Sequence, residues 1–419
     1  VAHGRRGDDP ATTLDRRGDN PMTTLDRPGD DPVTTLDRPG DDPATTLSRR
    51  PPAARRLVPP SASVTSNPGQ VTPEIDYVLP LRWNDDAGLA ELTVYLRGLA
   101  RHVRIVVIDG SPSPLFERHA REWRGIAEHV RPDDDLTVAN GKVAGVLSGM
   151  RRVRNEHVVI ADDDVRYDAD ALARVHTLLG HADLVRPQNH FHPLPWHARW
   201  DSARTLLNRG LGADYPGTFG VRRSTFEKMG GYDGDVLFEN LELIRTVRAH
   251  GGREVRPLDL YVRRLPPDTR RFWSQRIRQA YDDLAQPARM AAFLAVLPCV
   301  GMALWRRRPE LVAAGAAAVV ALAEIGRRRA GGRRIFPATS SLFAPVWVLE
   351  RATCSWAALT ARLLLGGVPY AGRRLRTAAH STRRLRRRAP PRRPRPACLR
   401  NAVHALGLIV RHDLGRSNR

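Results

Sequence analysis

The sequence predicts an α/β protein organised around an open, mostly parallel sheet. Three observations carry that prediction. Short apolar runs alternate with helix-spaced segments from Glu74 to Leu179. Two of those runs end in carboxylates, Asp109 and the triplet Asp162, Asp163 and Asp164. Turn signals separate the segments, as β-α repetition requires.

The elements follow in order. Ile75 to Leu81 (IDYVLPL) reads as a first buried strand. Ala87 to Ala100 has helical spacing, with Leu89, Leu92, Tyr95, Leu96 and Leu99 on one side. Val103 to Asp109 is the second strand, and Leu115 to Ile126 a helix. Leu136 to Ala139 reads as a short third strand before Asn140-Gly141-Lys142, which opens a helix to about Arg154. His157 to Ala161 is the fourth strand, and Asp170 to Leu179 the next helix. Beyond it, Asp183 to Pro187 is strand-like, Trp196 to Arg209 helical and Tyr215 to Val221 turn-rich. A helix runs from Arg222 to Met229, before the Gly230-Gly231-Tyr232-Asp233 turn. Phe238 to His250 is an amphipathic helix stopped by Gly251-Gly252, and Asp268 to Leu284 is a further helix.

Three adjacent carboxylates at a strand end repel one another. A divalent cation offsets that repulsion, since hard cations prefer carboxylate oxygens. A metal–diphosphate site is one reading; an N-cap cluster, with Asp168 or Asp170 as the cap, is the other. Ligands of parallel sheets bind at carboxyl strand ends. Asp109 and the triplet both occupy such ends, which favours the first reading.

The net charge of the 419 residues is +22, nearly all arginine, because Lys142 and Lys228 are the only lysines. No arginine run is interleaved with the aromatics of a single-strand binder, so no nucleic-acid partner is expected. Anionic lipid suits such a surface equally well. Cys299, Cys354 and Cys398 are far apart, indicating neither a disulfide framework nor a zinc site. No N-terminal apolar run resembles a signal peptide.

Composition divides the chain into four parts. Residues 1–73 comprise an eleven-residue repeat over 7–50 (GDDPATTLDRR and its variants) and a Pro/Ser-rich linker. One large apolar residue per repeat cannot offset chain entropy, so disorder is expected. Residues 74–286 hold the α/β pattern. Residues 287–370 are apolar and Ala-rich, with Met290–Leu304 and Leu311–Ile325 each shorter than a comfortable span and Leu342–Leu365 interrupted by Glu350 and Arg351. With Arg306–Arg308 between the first two, they read as spans, as an interfacial hairpin, or as a soluble helical domain. Residues 371–419 form an Arg/Pro-rich tail suited to anionic headgroups, including a short apolar patch at Asn401–Val410.

The spaced motifs IDYVLPLRW, VVIDGSPS, NGKVAGVLSGM, VIADDDVRY and GTFGVRRSTFEKMGGYDGDVLFENLEL together resemble a family 2 glycosyltransferase. The resemblance covers about residues 74 to 285. It implies a GT-A fold, the Rossmann-like mixed sheet of nucleotide-diphospho-sugar transferases, with hydrophobic C-terminal helices and disordered tails. It also implies a membrane-associated, inverting enzyme. Such an enzyme moves a sugar from a UDP- or GDP-sugar to a lipid-linked or glycan acceptor, with Mn2+ or Mg2+ as cofactor. The catalytic domain is then cytoplasmic, at the cell membrane. The rivals are a processive polysaccharide synthase of the same fold and a non-enzymatic basic membrane or nucleic-acid binding protein.

The resemblance also implies roles. Asp109 holds the donor's base or ribose. Asp162 and Asp164 are the Asp-x-Asp pair, with Asp164 on the metal, Asp162 towards the ribose or sugar, and Asp163 a spacer. Lys142 either adds positive field at the diphosphate or is an ordinary helix-start lysine. The family's Glu-Asp pair is Glu239-Asn240 here, so the base falls to Glu239, with Glu242, Asp233 and Asp235 as alternatives. The processive Gln-x-x-Arg-Trp motif appears as Gln275 to Gln279, lacking its Trp, and Trp273 is not an obvious substitute. Gln275 and Trp196 or Trp200 lie on the acceptor side, while Arg276 and Arg278 suit a diphosphate or lipid phosphate. His190, His192 and His197 match no zinc spacing.

Overall fold

The computed structural model describes residues 74–370 and 373–388. The repeats, the linker, Cys398, the Asn401–Val410 patch and the tail beyond 388 lie outside the described residues.

The chain forms a mixed α/β structure whose central sheet is rich in parallel pairs. Strand β1 (Ile75–Leu81) leads to helix α1 (Leu89–Leu99), β2 (Arg104–Asp109), α2 (Ser113–Glu122) and β3 (Glu128–Val130). Next come α3 (Gly141–Met150), β4 (His157–Ala161), β5 (Val165–Arg166), α4 (Ala169–Leu179), β6 (Leu184–Val185) and β7 (Gln188–Phe191). Then follow α5 (Trp196–Leu211), β8 (Thr218–Arg222), α6 (Arg223–Met229), α7 (Glu239–Ala249), β9 (Glu254–Val255) and β10 (Tyr261–Arg264). The sheet order is β3-β2-β1-β4-β8-β6-β9. From β3 to β4 every pair is parallel, and β8 is antiparallel to both β4 and β6. A small second sheet, β5-β10-β7, lies past the end of β4.

Three expectations are corrected. Leu136–Ala139 is not a strand, and β3 takes its place. The Ala139 and Asn140 amides donate to Asp235 Oδ1 and the Gly234 carbonyl, at 2.9 Å each, so they are spent on the turn that follows α6. The turn-rich YPGTFGV contains β8, which pairs residue by residue with β4. The helix expected over 268–284 breaks at Gln275 into α8 (Thr269–Ser274), α9 (Arg276–Tyr281) and a 3-10 turn, Asp282–Ala285.

Apolar side chains on both sheet faces form the core. Tyr77, Leu79, Leu92, Leu96, Val107 and Trp123 pack on one side, and Val78, Val143, Val146, Val158, Ile160 and Phe219 on the other. Fully burying each aliphatic side chain contributes about 1.5–3 kcal/mol. Helix α3 comes unusually close to β1: a Cβ at Gly149 would sit 2.4 Å from Val78, and one at Gly145 2.8 Å from Pro80. That close seat holds the N-terminus of α3 beside the carboxyl end of β4.

The C-terminal helices are α10 (Pro287–Trp305), α11 (Pro309–Arg328), α12 (Ala338–Leu342) and α13 (Ala344–Leu364). By length and composition α10 and α11 could cross a membrane. These helices share cores with the residues before them: Leu206 and Leu207 pack with Ala323 and Trp347, and Tyr281 with Met290 and Ala358. A final segment, β11 (Val368–Tyr370), β12 (Arg373–Leu375) and α14 (Thr382–Arg388), returns across α7. The Leu237 and Phe238 amides donate to the Thr377 and Ala378 carbonyls, at 3.0 and 2.8 Å.

Candidate active site

The carboxyl end of β4 delivers the acidic triplet, and each carboxylate goes a different way. Asp162 Oδ1 lies 2.5 Å from Lys142 Nζ, and its Oδ2 lies 3.4 Å from an Arg264 nitrogen. Asp164 Oδ2 accepts from Arg264 Nε at 2.8 Å. Asp163 accepts from Trp83 Nε1 at 2.5 Å, so it anchors the β1–α1 loop as well as spacing its neighbours. The Asp162 amide donates to the Gly217 carbonyl at 2.9 Å, and a Cβ at Gly217 would sit 2.4 Å from Asp162 Oδ2. Only glycine leaves room for that carboxylate.

Lys142 is the hub of the site. Asn140 caps α3 by accepting from the Lys142 amide at 3.1 Å, which aims the side chain across the crevice. Its Nζ reaches Glu239 Oε1 at 2.9 Å and Asn240 Oδ1 at 3.3 Å. Burial works against its charge, but Asp162 and Glu239 outweigh burial and push its pKa upward. Lys142, Asp162, Glu239 and Asn240 thus meet at one point.

Asp164 is raised above the usual carboxylate range, by burial first and by Asp162 and Asp163 next, against the pull of Arg264. Its Oδ1 is buried with no hydrogen-bond partner. Two carboxylates with one orphaned oxygen form a hard, all-oxygen donor set. Asp162 and Asp164 therefore fit a divalent cation, with Arg264 now supplying the compensating charge.

A polar cavity of about 180 Å³ opens beside them, lined by Asp162, Glu239, Asn240, Gln275, Arg278 and Asp282 among others. Gln275 and Arg278 are thus brought to the triplet. Asp282 joins them, its pKa raised by burial and its Oδ1 unpartnered.

Other expected residues lie elsewhere. Asp109 is sealed: its carboxylate accepts from His119 Nδ1 at 2.6 Å, His129 Nε2 at 3.0 Å and the Ser111 amide at 2.8 Å. Burial raises its pKa, but the bonds from His129, Ser111 and His119 prevail and hold it at about 2. With no exposed surface, Asp109 does not reach the crevice directly. Its link runs through Ser111, whose Oγ accepts from the Trp83 amide at 2.8 Å. Arg276 is buried against Asp201 and Glu350, at 3.2 and 3.3 Å, outside the cavity lining. Trp196 sits with Trp200, Phe272 and Trp273 in an aromatic cluster outside the cavity lining. Glu242 is fully buried and takes the His380 amide and Nδ1, at 2.7 and 2.9 Å, so it fastens the C-terminal segment. Asp233 and Asp235 shape the turn, with Asp233 accepting the Asp235 amide at 2.9 Å. His197 Nε2 donates to the Pro267 carbonyl at 2.8 Å, and His190 and His192 join no cluster able to hold a metal among the described residues.

No family model matches the chain, and no curated protein matches it. Solved structures do. A mannosyltransferase from Pyrobaculum calidifontis, in complex with GDP-Man and Mn2+, is 18% identical with a TM-score of 0.43, covering 68% of this chain and 87% of that one. Staphylococcus aureus TarS, in complex with UDP-GlcNAc, is 12% identical with a TM-score of 0.35, covering 48% and 61%. Glucosyl-3-phosphoglycerate synthase from Mycobacterium tuberculosis, with Mn2+, UDP and product, is 16% identical with a TM-score of 0.33, covering 48% and 74%.

Proposed function

We propose that the chain is a glycosyltransferase using a nucleoside-diphosphate sugar, with a lipid-linked or membrane-presented hydroxyl as acceptor. The observation that carries the reading is the meeting of Asp162, Lys142 and Glu239 at the carboxyl end of β4, beside a polar cavity, with Asp164 joined to Asp162 through Arg264. Asp164 and Asp162 would hold Mn2+ or Mg2+, which supplies Lewis-acid stabilisation of a leaving diphosphate. Lys142, kept charged by its two carboxylate partners, adds positive charge on the same side. Arg278 lines the cavity as a further donor for phosphate oxygens.

Glu239 is the base. Its Oε1 lies 2.9 Å from Lys142 Nζ, and it takes the acceptor's hydroxyl proton as the acceptor oxygen bonds to the sugar's anomeric carbon. The bond from that carbon to the diphosphate oxygen breaks, and its electron pair leaves with the diphosphate. Asn240 supports Lys142 instead of acting as base. The apolar surfaces of α10 and α11 favour attachment to the cell membrane, with the catalytic part in the cytoplasm, where nucleotide sugars are made. Gln279 replaces the aromatic stacking face of processive members, which favours single additions.

The test is release of UDP or GDP from a panel of nucleotide sugars by the purified chain in detergent, with and without Mn2+. Release that needs Mn2+ and disappears in Asp164→Ala is expected. Full release by Asp164→Ala would overturn the assignment.

A further inference from the structure

The polar cavity is the first of three that adjoin. A second, of about 650 Å³, shares Asn208, Tyr215, Gln286 and Arg289 with it. A third, of about 390 Å³, shares Val319 and Val348 with the second and lies between α10, α11 and α13. Polarity falls along the series. The first is lined by arginines and carboxylates. The second is walled by Leu207, Phe293, Leu322 and Trp347; its remaining arginines, Arg186, Arg248 and Arg256, all face Glu254. Among the described residues, no charged one lines the third.

The polar end has cationic groups to spare. Arg351 is 3% exposed, yet its Nε and Nη1 have no hydrogen-bond partner among the described residues. Its nearest carboxylate, Asp283 Oδ2, is 3.7 Å away. Arg289 shares that aspartate, with Nε 3.0 Å from Oδ1. Arg278 has no ion pair within 4.0 Å among the described residues and lies over the Tyr370 ring. Two guanidiniums, Arg289 and Arg351, thus share one carboxylate, Asp283, at the entrance to an apolar path, with Arg278 and Asp282 lining the same cavity. Buried, unsatisfied guanidinium donors are costly, and a phosphate satisfies several at once.

We propose that the three cavities form one binding path for a lipid phosphate. The phosphate lies against Arg289 and Arg351, and the hydrocarbon chain runs through the second cavity into the third, between the apolar helices. This rests on the transferase reading and deepens it, since a hydroxyl-bearing group carried on that phosphate would then reach Asp162 and Glu239. Charge complementarity at one end and continuity with the α10–α11 surface at the other single out this occupant over a soluble phosphate.

The test uses the full chain in detergent, titrated with 11-bromoundecyl phosphate, 11-bromoundecanol or inorganic phosphate. Bromine quenches tryptophan on contact, and Trp347 lines the second cavity. The bromoalkyl phosphate should quench at about tenfold lower concentration than the alcohol, and Trp347→Phe should remove the quench. Arg351→Gln should erase the tenfold advantage, and Arg289→Gln serves if that variant fails to fold. Val348→Phe should weaken both bromoalkyl probes. Equal quenching by phosphate and alcohol, or displacement of the lipid by equimolar inorganic phosphate, would overturn the proposal. Calorimetry with UDP, GDP and Mn2+ separates the two readings. Nucleotide binding without lipid-phosphate binding sinks this inference and leaves the transferase; the reverse sinks the transferase and leaves the path.

Discussion

Replacing Arg264 with glutamine should make the chain bind Mn2+ more tightly. Arg264 offsets the triplet together with Lys142 and, among the described residues, alone reaches Asp164, with Nε 2.8 Å from Asp164 Oδ2 and Nη2 3.4 Å from Asp162 Oδ2. A metal taking those oxygens must displace a charge-assisted hydrogen bond, worth about 1.5–3 kcal/mol. Removing that competitor should therefore tighten Mn2+ by roughly ten- to a hundredfold. Arg264→Lys keeps the charge and should stay near the parent. Electron paramagnetic resonance of free Mn2+ during titration gives the affinity directly. Unchanged or weaker binding in Arg264→Gln would refute the reasoning, since the guanidinium and the metal would not then share these carboxylates.

Lys142→Met should cost about 1–3 kcal/mol, because it leaves Asp162 and Glu239 facing each other without their shared cation. The lysine's pKa is raised on folding, so its contribution is complete below the unfolded value, about 10.4, and is lost only as pH rises through the folded one. Thermal unfolding should therefore show the same loss at pH 7 and pH 9; a loss confined to pH 7 contradicts the sign. Asp109→Asn should cost about 2 kcal/mol at neutral pH, from a carboxyl held at about 2 against 3.8. Here the folded pKa is depressed, so the stabilisation is present above the unfolded value and fades as pH falls towards the folded one. The gap in melting temperature between variant and parent should narrow between pH 6 and pH 3, and a constant gap would argue against it. Gly217→Ala places a methyl 2.4 Å from Asp162 Oδ2 and should lower nucleotide release by about tenfold or more while leaving the melting temperature nearly unchanged. Full release by this variant would show that the Asp162 position is not needed.

The sheet was legible because its signals are local. Buried parallel strands need continuous apolar runs, and IDYVLPL, RIVVID and HVVIA carry them next to helix-spaced segments. The third strand was misplaced because Glu128–Val130 is a half-buried edge strand of three residues with no apolar run to announce it. Strand β8 was hidden because Pro216 and Gly217 put turn signals at its start, and its pairing partner β4 lies about sixty residues earlier in sequence. Likewise the apolar content of 287–365 was visible, but not that these helices bury their small-residue faces against α5 and α9.

The site divides along the same line. Residues at strand ends and helix starts are placed by the fold's periodicity, and the triplet, Lys142 and Glu239 meet for that reason. Asp109 satisfied the same rule and still turned away, because two histidines that no spacing connects, His119 and His129, converge on its buried carboxylate. A strand-end acid is drawn to whichever donors reach it, and here the donors lie inside the protein. Arg264 went unseen for the converse reason. It sits about a hundred residues after the triplet, at the end of a four-residue strand, in a sequence where arginine is too common to attract notice. What selects it is geometry: β10 pairs antiparallel with β5, which follows the triplet directly, so that Arg264 lies opposite Val165. That register makes a basic side chain at Arg264 the charge partner of whatever carboxylates end β4, and so ties the metal question to a residue that only the folded chain brings there.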